Sequence, residues 1–542
     1  MSDWDVIVIG SGAGGMSAAV ALSNLGKKVL VLEQHYLPGG WCHTFALEGH
    51  KFSPGVHYIG QLQEDGQMRQ ILEGLGVGPN IEFCELNPDG YDHVVFEDEI
   101  FDIPKGAEKF RERLSRRFPD ERDGIERYFR LMRKVDHGLS LMSQARGLLG
   151  KLKLLLRAPA LVFNGRKPAS EVIDRYVNDP KLKAILEARA GDHGMTPAKV
   201  PFGMHVAIEG HYWEGAWFPK GGGGAIPRAF IKRLKKNGGE IRTRTKVDRI
   251  LVEGSGEQRR AVGVRLDDGE EIRAETILSN ADVWATYKNM LGKEDLSENM
   301  IAKVDRLKPS LTALSLFLAA DIDADALGLD SGNYWLLRDA DVDAAYRQAE
   351  DDDLSGDGPF AGGFLTITTK KDPSKMHDGI HTMEAFTFIP YKVFERWQDT
   401  NVDDRPEDYE AFKLHLTERM LDTIERVIPG VRDHIRLCEL GTPLTNDFYV
   451  NSYRGNLYGT AKTWSQIGPG APRIRTEISG LFHCGQSTTA HGVLGAMYTG
   501  LIAAAKISGK GMDDILAFSD EGSVHCYQPM DAKPEPATVG AS

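Results

Sequence analysis

The run from Asp5 to Glu33, DVIVIGSGAGGMSAAVALSNLGKKVLVLE, limits what this chain can fold into more than any other stretch. Residues 6–9 are four successive β-branched residues that stop at a glycine turn, the pattern of a strand buried on both faces. Apolar residues then recur at helical spacing over 13–25, and 29–32 reads as a second buried strand. Gly10, Gly12 and Gly15 stand in the turn of this βαβ unit in the spacing G-x-G-x-x-G. Strand before and helix after give each glycine a task. Gly10 permits the tight turn, Gly12 lets a pyrophosphate approach the backbone, and Gly15 lets the helix lie close on the strand. Ser11, Ala13 and Gly14 fill the rest of the loop and helix start, where roughly half a positive charge faces the phosphates. Glu33 ends the second strand about twenty residues on, where an acid accepts hydrogen bonds from ribose hydroxyls, and Gln34 follows it. The stretch is expected to bind a dinucleotide.

At 542 residues the chain exceeds the size at which single cores stop growing, so two domains built from interleaved segments are expected. The formal charge of −13 argues against a general nucleic-acid binder. Five cysteines are scattered without a C-x-x-C pair, which disfavours a disulfide framework or a structural zinc site and fits a reducing, cytoplasmic compartment. Cys42 beside His43 lacks further ligands at metal spacing, and no metal site is expected. No uninterrupted apolar run of about twenty residues occurs, and with the first strand so near Met1 no signal peptide is expected.

Residues 34–60, QHYLPGGWCHTFALEGHKFSPGVHYIG, place Gly39 and Gly40 in a turn without side chains. The motifs Pro38-Gly39-Gly40, Cys42-His43-Thr44-Phe45 and Gly55 with His57-Tyr58-Ile59-Gly60 resemble the retinol saturase branch of the phytoene desaturase and carotenoid isomerase family of flavoproteins. Further resemblance lies at Trp217 to Gly222 and at Gly480 to Ala496, so it covers about 1–60, 205–285 and 440–508. It implies an α/β fold: a Rossmann-like FAD-binding domain of amine-oxidase type with an interleaved α+β substrate domain. The expected division is 1–60, 205–285 and 440–515 for FAD, and 61–204 with 286–439 for substrate, with 520–542 a disordered tail.

The same resemblance implies particular contacts. The Gly39-Gly40-Trp41 turn would border a non-covalent FAD. Val247 would meet the adenine through its backbone, and Asn280 would lie near the cofactor. Gly485, Gln486, Val493 and Leu494 would close over the ribityl chain and flavin ring. Trp41 stands where amine oxidases of the wider superfamily carry Arg, which counts against amine chemistry. Gln486 replaces an Asp usual in the superfamily and agrees with the saturase branch.

Residues 61–205 read as mainly helical, whereas 240–252, 261–266 and 271–279 read as strands of a small sheet covering the dinucleotide domain. Farther on, 311–319 and 364–369 read as strands and 408–428 as an amphipathic helix. Residues 137–170 contain no acid and six bases, against the acidic trend of the chain. Within them Leu148, Leu149, Leu152, Leu155 and Leu156 share a helical face opposite Arg146, Lys153 and Arg157. The helix expected within 137–163 suits peripheral contact with an anionic membrane face, its alternative being an ordinary surface helix.

Only one dinucleotide fingerprint is complete, so NAD(P)H would serve as a diffusible electron donor. Three readings stay open at this point: reduction of a carbon–carbon double bond in an apolar isoprenoid polyene, desaturation or cis-trans isomerisation of such a substrate, and a non-catalytic FAD-binding membrane adaptor. Hydride transfer from a flavin asks the protein chiefly to position the acceptor carbon and to provide one proton. Candidate donors are His57, Tyr58 and His491, which flank the two cofactor loops. No residue pattern fixes the oligomeric state.

Overall fold

The computed structural model describes residues 3–144, 154, 156–350 and 353–529. Its first sheet is built on strand β1 (Trp4–Ile9), helix α1 (Ala13–Asn24) and strand β2 (Val29–Leu32). The two strands pair in parallel, Val6 beside Val29 through Ile9 beside Leu32, as a right-handed crossover through one helix requires. Ile7, Val8, Val29, Leu30 and Val31 are wholly buried, each contributing about 1.5–3 kcal/mol by leaving water. Helix α1 is buried on every side from Gly14 to Ser23, because the sheet lies beneath it and the helices Ala225–Lys236 and Gly492–Ser508 lie over it. A small-residue sequence such as AGGMSAAVALSN allows that enclosure.

Strand Glu271–Ser279 lies on the other side of β1 and does double duty. Its C-terminal half pairs in parallel with β1 and with Leu481–His483, and its N-terminal half continues an antiparallel meander of Val247–Glu253 and Arg260–Leu266. Glu240–Arg242, expected in that small sheet, instead extends the parallel sheet at the free edge of β2. The meander is thus continuous with the dinucleotide sheet, sharing one long strand with it, rather than being a separate cover.

A second sheet of seven strands is antiparallel except where Asn333–Leu337 meets Asp92–Val95. Thr312–Ala320, Gly362–Ile367 and His381–Ile389 form its centre, and the helix Glu407–Ile424 packs on it. Residues 61–205 are mainly helical, as expected, but three short strands interrupt them: Asp92–Val95 and Ile100–Ile103 end this sheet, and Glu82–Glu85 joins a third. The physical reason is visible in Asp92 and Asn333, both fully buried and hydrogen-bonded to each other, which break the apolar pattern of their strands.

Of the expected disordered tail 520–542, residues 530–542 lie outside the described residues, while 521–529 are ordered into the fold. His525–Tyr527 pairs in parallel with Glu82–Glu85, Val524 is buried, and Glu521 accepts ion pairs from Arg233 and Lys236. Of the candidate membrane helix, Arg146, Leu148, Leu149, Leu152, Lys153 and Leu155 lie outside the described residues. Leu156 and Phe163 are described, at 78% and 71% exposure. Among the described residues no single helix is long and apolar enough to cross a membrane.

Candidate active site

A cavity of about 1160 Å³ begins at the C-terminal end of β1, where α/β sheets place their ligands, and runs between the two large sheets. Gly10, Ser11, Gly12, Ala13 and Gly14 form one end of its wall, together with Glu33 and Gln34. Gly10 has φ +89°, a conformation that glycine alone adopts without strain. Gly15 lies behind this wall: a Cβ there would stand 2.3 Å from the Gly10 carbonyl oxygen, so its role is the close packing of α1 on β1. The Glu33 carboxylate is nearly buried and accepts from both the main-chain N–H (2.9 Å) and the hydroxyl (2.5 Å) of Ser11, and from the His35 N–H (2.9 Å). That clamps the acid at the mouth of the glycine loop. Val247, with Thr245 and Lys246, lines the cavity beyond Glu33.

Two later segments complete the middle of the wall. Gly39 and Gly40 (φ +125° and +53°) bring the Gly39-Gly40-Trp41 turn against the first loop, so close that a Cβ on Gly40 would lie 3.3 Å from the Gly12 Cα. Asn280, at the end of its strand, wedges between Gly12, Gly14 and Gly485, and added Cβ atoms there would meet its side-chain amide at 2.9, 2.7 and 2.6 Å. Gln486, Val493 and Leu494 line the same region, the last two in the first turn of Gly492–Ser508. That helix is locked to α1 by glycine on glycine: a Cβ on Gly500 would sit 2.1 Å from the Gly14 carbonyl, and Ser17 donates to the Met497 carbonyl at 2.9 Å.

At the opposite end the wall turns aromatic and apolar, with Phe364, Phe386, Met204, Ile208, Leu139 and Leu457. His57, Tyr58 and His491 all line the cavity near this change of character. His57 is oriented by Glu384 of the second sheet, its Nδ1 3.1 Å from Oε2, and it lies against Phe364 and Phe386. Tyr58 stacks on Tyr212 (4.3 Å between centroids) and donates its hydroxyl to Asp192 Oδ2 at 2.8 Å. Burial and the facing carboxylates push the Tyr58 phenol well above its ordinary range. His491 donates from Nε2 to the Asp192 carbonyl at 2.9 Å, and burial pushes its pKa down to about 4. A neutral imidazole with its one N–H committed to a carbonyl has no proton to give.

Asp192 is absent from the sequence-based candidates, because it sits in a stretch without a motif. Only its surroundings, assembled from residues far apart in the chain, give it character. Two further groups went unseen for the same reason. Lys462, buried and pushed down to about 7 by desolvation, donates to the main-chain oxygens of Gln486 (2.6 Å) and Thr488 (3.1 Å) and so braces the closing loop. Asp282 accepts from Ser487 (3.0 Å) and Asn456 (2.7 Å) on the same side.

The model of the flavin containing amine oxidoreductase family matches residues 13–340. The chain belongs to this family. All-trans-retinol 13,14-reductase of Danio rerio is 31% identical over 93% of this chain and 86% of its own length. A chloroplastic prolycopene isomerase of Daucus carota is 28% identical over 93% of this chain and 80% of its own. Among solved structures, an oxidoreductase from Methanosarcina mazei superposes with TM-score 0.61 at 19% identity, covering 93% of this chain and 100% of that one, a likeness of fold. This family member is a flavin-dependent oxidoreductase of the retinol saturase and carotenoid isomerase branch.

The residues present suit a flavin. Glycines supply side-chain-free backbone where three chain segments meet, a cradle that added Cβ atoms would fill. A clamped carboxylate stands where ribose hydroxyls would bind. The buried ring nitrogens Nε2 of His35, Nε1 of Trp41 and Nδ1 of His491 belong to cavity-lining residues and have no hydrogen-bond partner among the described residues. Unpaired buried polar atoms are costly, and a group bound in the cavity would satisfy them.

Proposed function

We propose that this flavin-containing amine oxidoreductase reduces one carbon–carbon double bond of an apolar isoprenoid polyene, with FAD as its cofactor and NAD(P)H as a diffusible donor. The observation that carries the reading is the continuity of the cavity from the Gly10–Gly14 loop to the Phe364 and Phe386 wall. In this reading Glu33 receives the adenosine ribose, the α1 start faces the pyrophosphate, Val247 meets the adenine, and the Gly39-Gly40-Trp41 and Gly485-Gln486 segments hold the ring. Bound flavin would supply hydride chemistry.

The protein's own part is to orient and to exclude water. An apolar chain against Met204, Ile208, Leu457 and the two phenylalanines would be held at about 0.8 kcal/mol per buried methylene. Fixing one double bond beside the cofactor replaces an encounter with a held geometry, which lowers the barrier without an acid–base triad. Access from a lipid surface is consistent with the outer part of the cavity. Leu139 and Ser140 line it, Gly138 packs on Ala158 and Leu161, and the exposed Leu156, Arg157 and Phe163 flank those two residues in the chain. If this face meets an anionic bilayer, the double variant Leu156→Glu, Phe163→Glu will no longer co-sediment with phosphatidylserine vesicles, and undiminished co-sedimentation would refute the contact.

The similarity to prolycopene isomerase favours a second reading, redox-neutral isomerisation of a polyene at the same site. The visible spectrum of the purified protein and the mass of products formed without oxygen separate the possibilities. Reduction yields a yellow protein and a product two hydrogens heavier, isomerisation an unchanged mass, and a colourless protein would refute both.

A further inference from the structure

We propose that Asp192 is the proton donor of the reduction and that Tyr58 is its positioning residue, an assignment that rests on the reductive reading above. Asp192 lines the same cavity as the glycine loop and the Phe364 and Phe386 wall, next to His491 at the start of the closing helix. One carboxyl oxygen accepts from the Tyr58 hydroxyl, while the other makes no hydrogen bond to any described residue. Its main-chain oxygen receives His491 Nε2–H, so the side chain is tied to the N-terminal loop and the main chain to the start of the closing helix.

The short helix Ala188–His193 holds this carboxyl rigidly. A Cβ on Gly191 would lie 2.5 Å from the Trp335 ring, and Gly194, at φ +61°, turns the chain away against Tyr458. A carboxyl held on the cavity wall with one oxygen outside any described hydrogen bond can face a bound double bond. The other candidates flanking it are spent: His491 is neutral with its N–H engaged, and the Tyr58 phenol holds its proton too firmly to act alone.

Desolvation pushes the Asp192 carboxyl up to about 7. The groups facing it are Tyr58 and Arg189, which favour its charged form, and Asp92 and Glu209, which oppose it. Tyr212, Tyr346 and Tyr458 stand around it as neutral phenols, and His491 as a neutral imidazole. A general acid is most effective when its pKa lies near the working pH.

The step balances as follows. A dihydronicotinamide supplies two electrons through flavin chemistry, and one alkene carbon gains a hydride with its electron pair. The π bond breaks, the second carbon takes the proton from the Asp192 O–H, and the carboxylate left behind keeps the hydrogen bond from Tyr58. Solvent restores the proton once the product has left.

The test uses the flavin-loaded full chain, reduced without oxygen and mixed with an all-trans polyene alcohol. Asp192→Asn should show the wild-type visible spectrum and reduction by NADPH, but flavin reoxidation by the polyene slowed about 10²-fold or more. Asp192→Glu should recover part of the rate. Tyr58→Phe keeps the ring stack but removes a donor to the carboxylate, so the acid titrates higher and the alkaline fall of the rate should move to higher pH. A readout independent of turnover is the infrared difference spectrum between the flavin-free wild type and Asp192→Asn: the bands of Glu187 and Asp92 cancel, and a protonated carboxylic acid band titrating near 7 should remain.

Wild-type reoxidation with an unchanged pH profile in Asp192→Asn, or a wild-type-minus-variant infrared difference spectrum without a carboxylic acid band titrating near 7, overturns the assignment while leaving reduction intact. A wild-type product without two added hydrogens overturns the reductive reading and the assignment together.

Discussion

At the scale of single residues the site depends on side chains that are missing. Gly15 never reaches the cavity, yet a methyl group there must displace the Gly10 carbonyl, and with it the turn that offers N–H groups to a phosphate. Gly15→Ala should destabilise the protein by about 1–3 kcal/mol through overpacking. It should also lose the yellow colour, as read from a thermal melt and the visible spectrum of the same sample. Glu187 makes the opposite kind of point, that of a burden carried elsewhere. It is buried, desolvation raises its pKa from 4.5 to about 8, and the acids Asp343 and Asp174 add to the shift. A carboxyl whose folded pKa exceeds its unfolded value favours the folded state fully at low pH, and that favour is lost as pH rises to the folded value. Glu187→Gln should therefore match wild type near pH 4 and gain on it by up to about 1.4 kcal/mol per pH unit until about 8. Denaturant midpoints across that range check it, and parallel curves for the two proteins would show that Glu187 titrates as an ordinary acid.

Elements with a clean period could be read directly from the residues; those carrying buried polar groups could not. The strand at 29–32 is found where expected, α1 differs from expectation by a residue at one end, and Thr312–Ala320 by one at each. By contrast, His381–Ile389 and Asp92–Val95 hide Glu384, Asp92 and His93 in the core, so no apolar alternation announces them. Most of the glycine side of the site was therefore legible. Asp192, Glu384 and Lys462 were not, since each acquires its role from partners that only the fold brings near. The third sheet belongs to this class. His525–Tyr527 looks like tail in the sequence, but Val524 is buried there, Arg69 donates to its carbonyl (3.1 Å) and its N–H donates to Glu73 (3.0 Å). Cutting the chain after Asp520 should cost at least the burial of that valine, about 1.5–3 kcal/mol, relative to a chain ending at Pro529. Equal melting temperatures for the two chains would show that the strand contributes nothing.

Across the whole molecule, the cavity needs two sheets held in fixed relation, and one carboxylate at their junction does much of the holding. Glu384 projects from the centre of the second sheet, is almost fully buried, and accepts from the Ser53 main-chain N–H at 2.7 Å through one oxygen while the other faces His57. Ser53 in turn receives the Gly223 N–H at 2.9 Å, so the bond extends to the glycine-rich turn before the helix Ala225–Lys236, which packs on α1. Removing the acid leaves a buried N–H without a partner, a cost of about 1–3 kcal/mol. Glu384→Ala should lower stability by that amount. Glu384→Gln isolates orientation from stability, because its amide oxygen can still accept from Ser53 while its NH₂ meets His57 only if Nδ1 carries no proton. That variant should keep the wild-type melting temperature and flavin absorbance, since the glycine loops and Glu33 are untouched, yet turn over polyene more slowly. Equal turnover would mean that the second sheet merely walls the cavity and that the direction of His57 is irrelevant to it. Loss of flavin with loss of turnover would mean that the two sheets bind as one unit and that the division between cofactor end and substrate end is wrong.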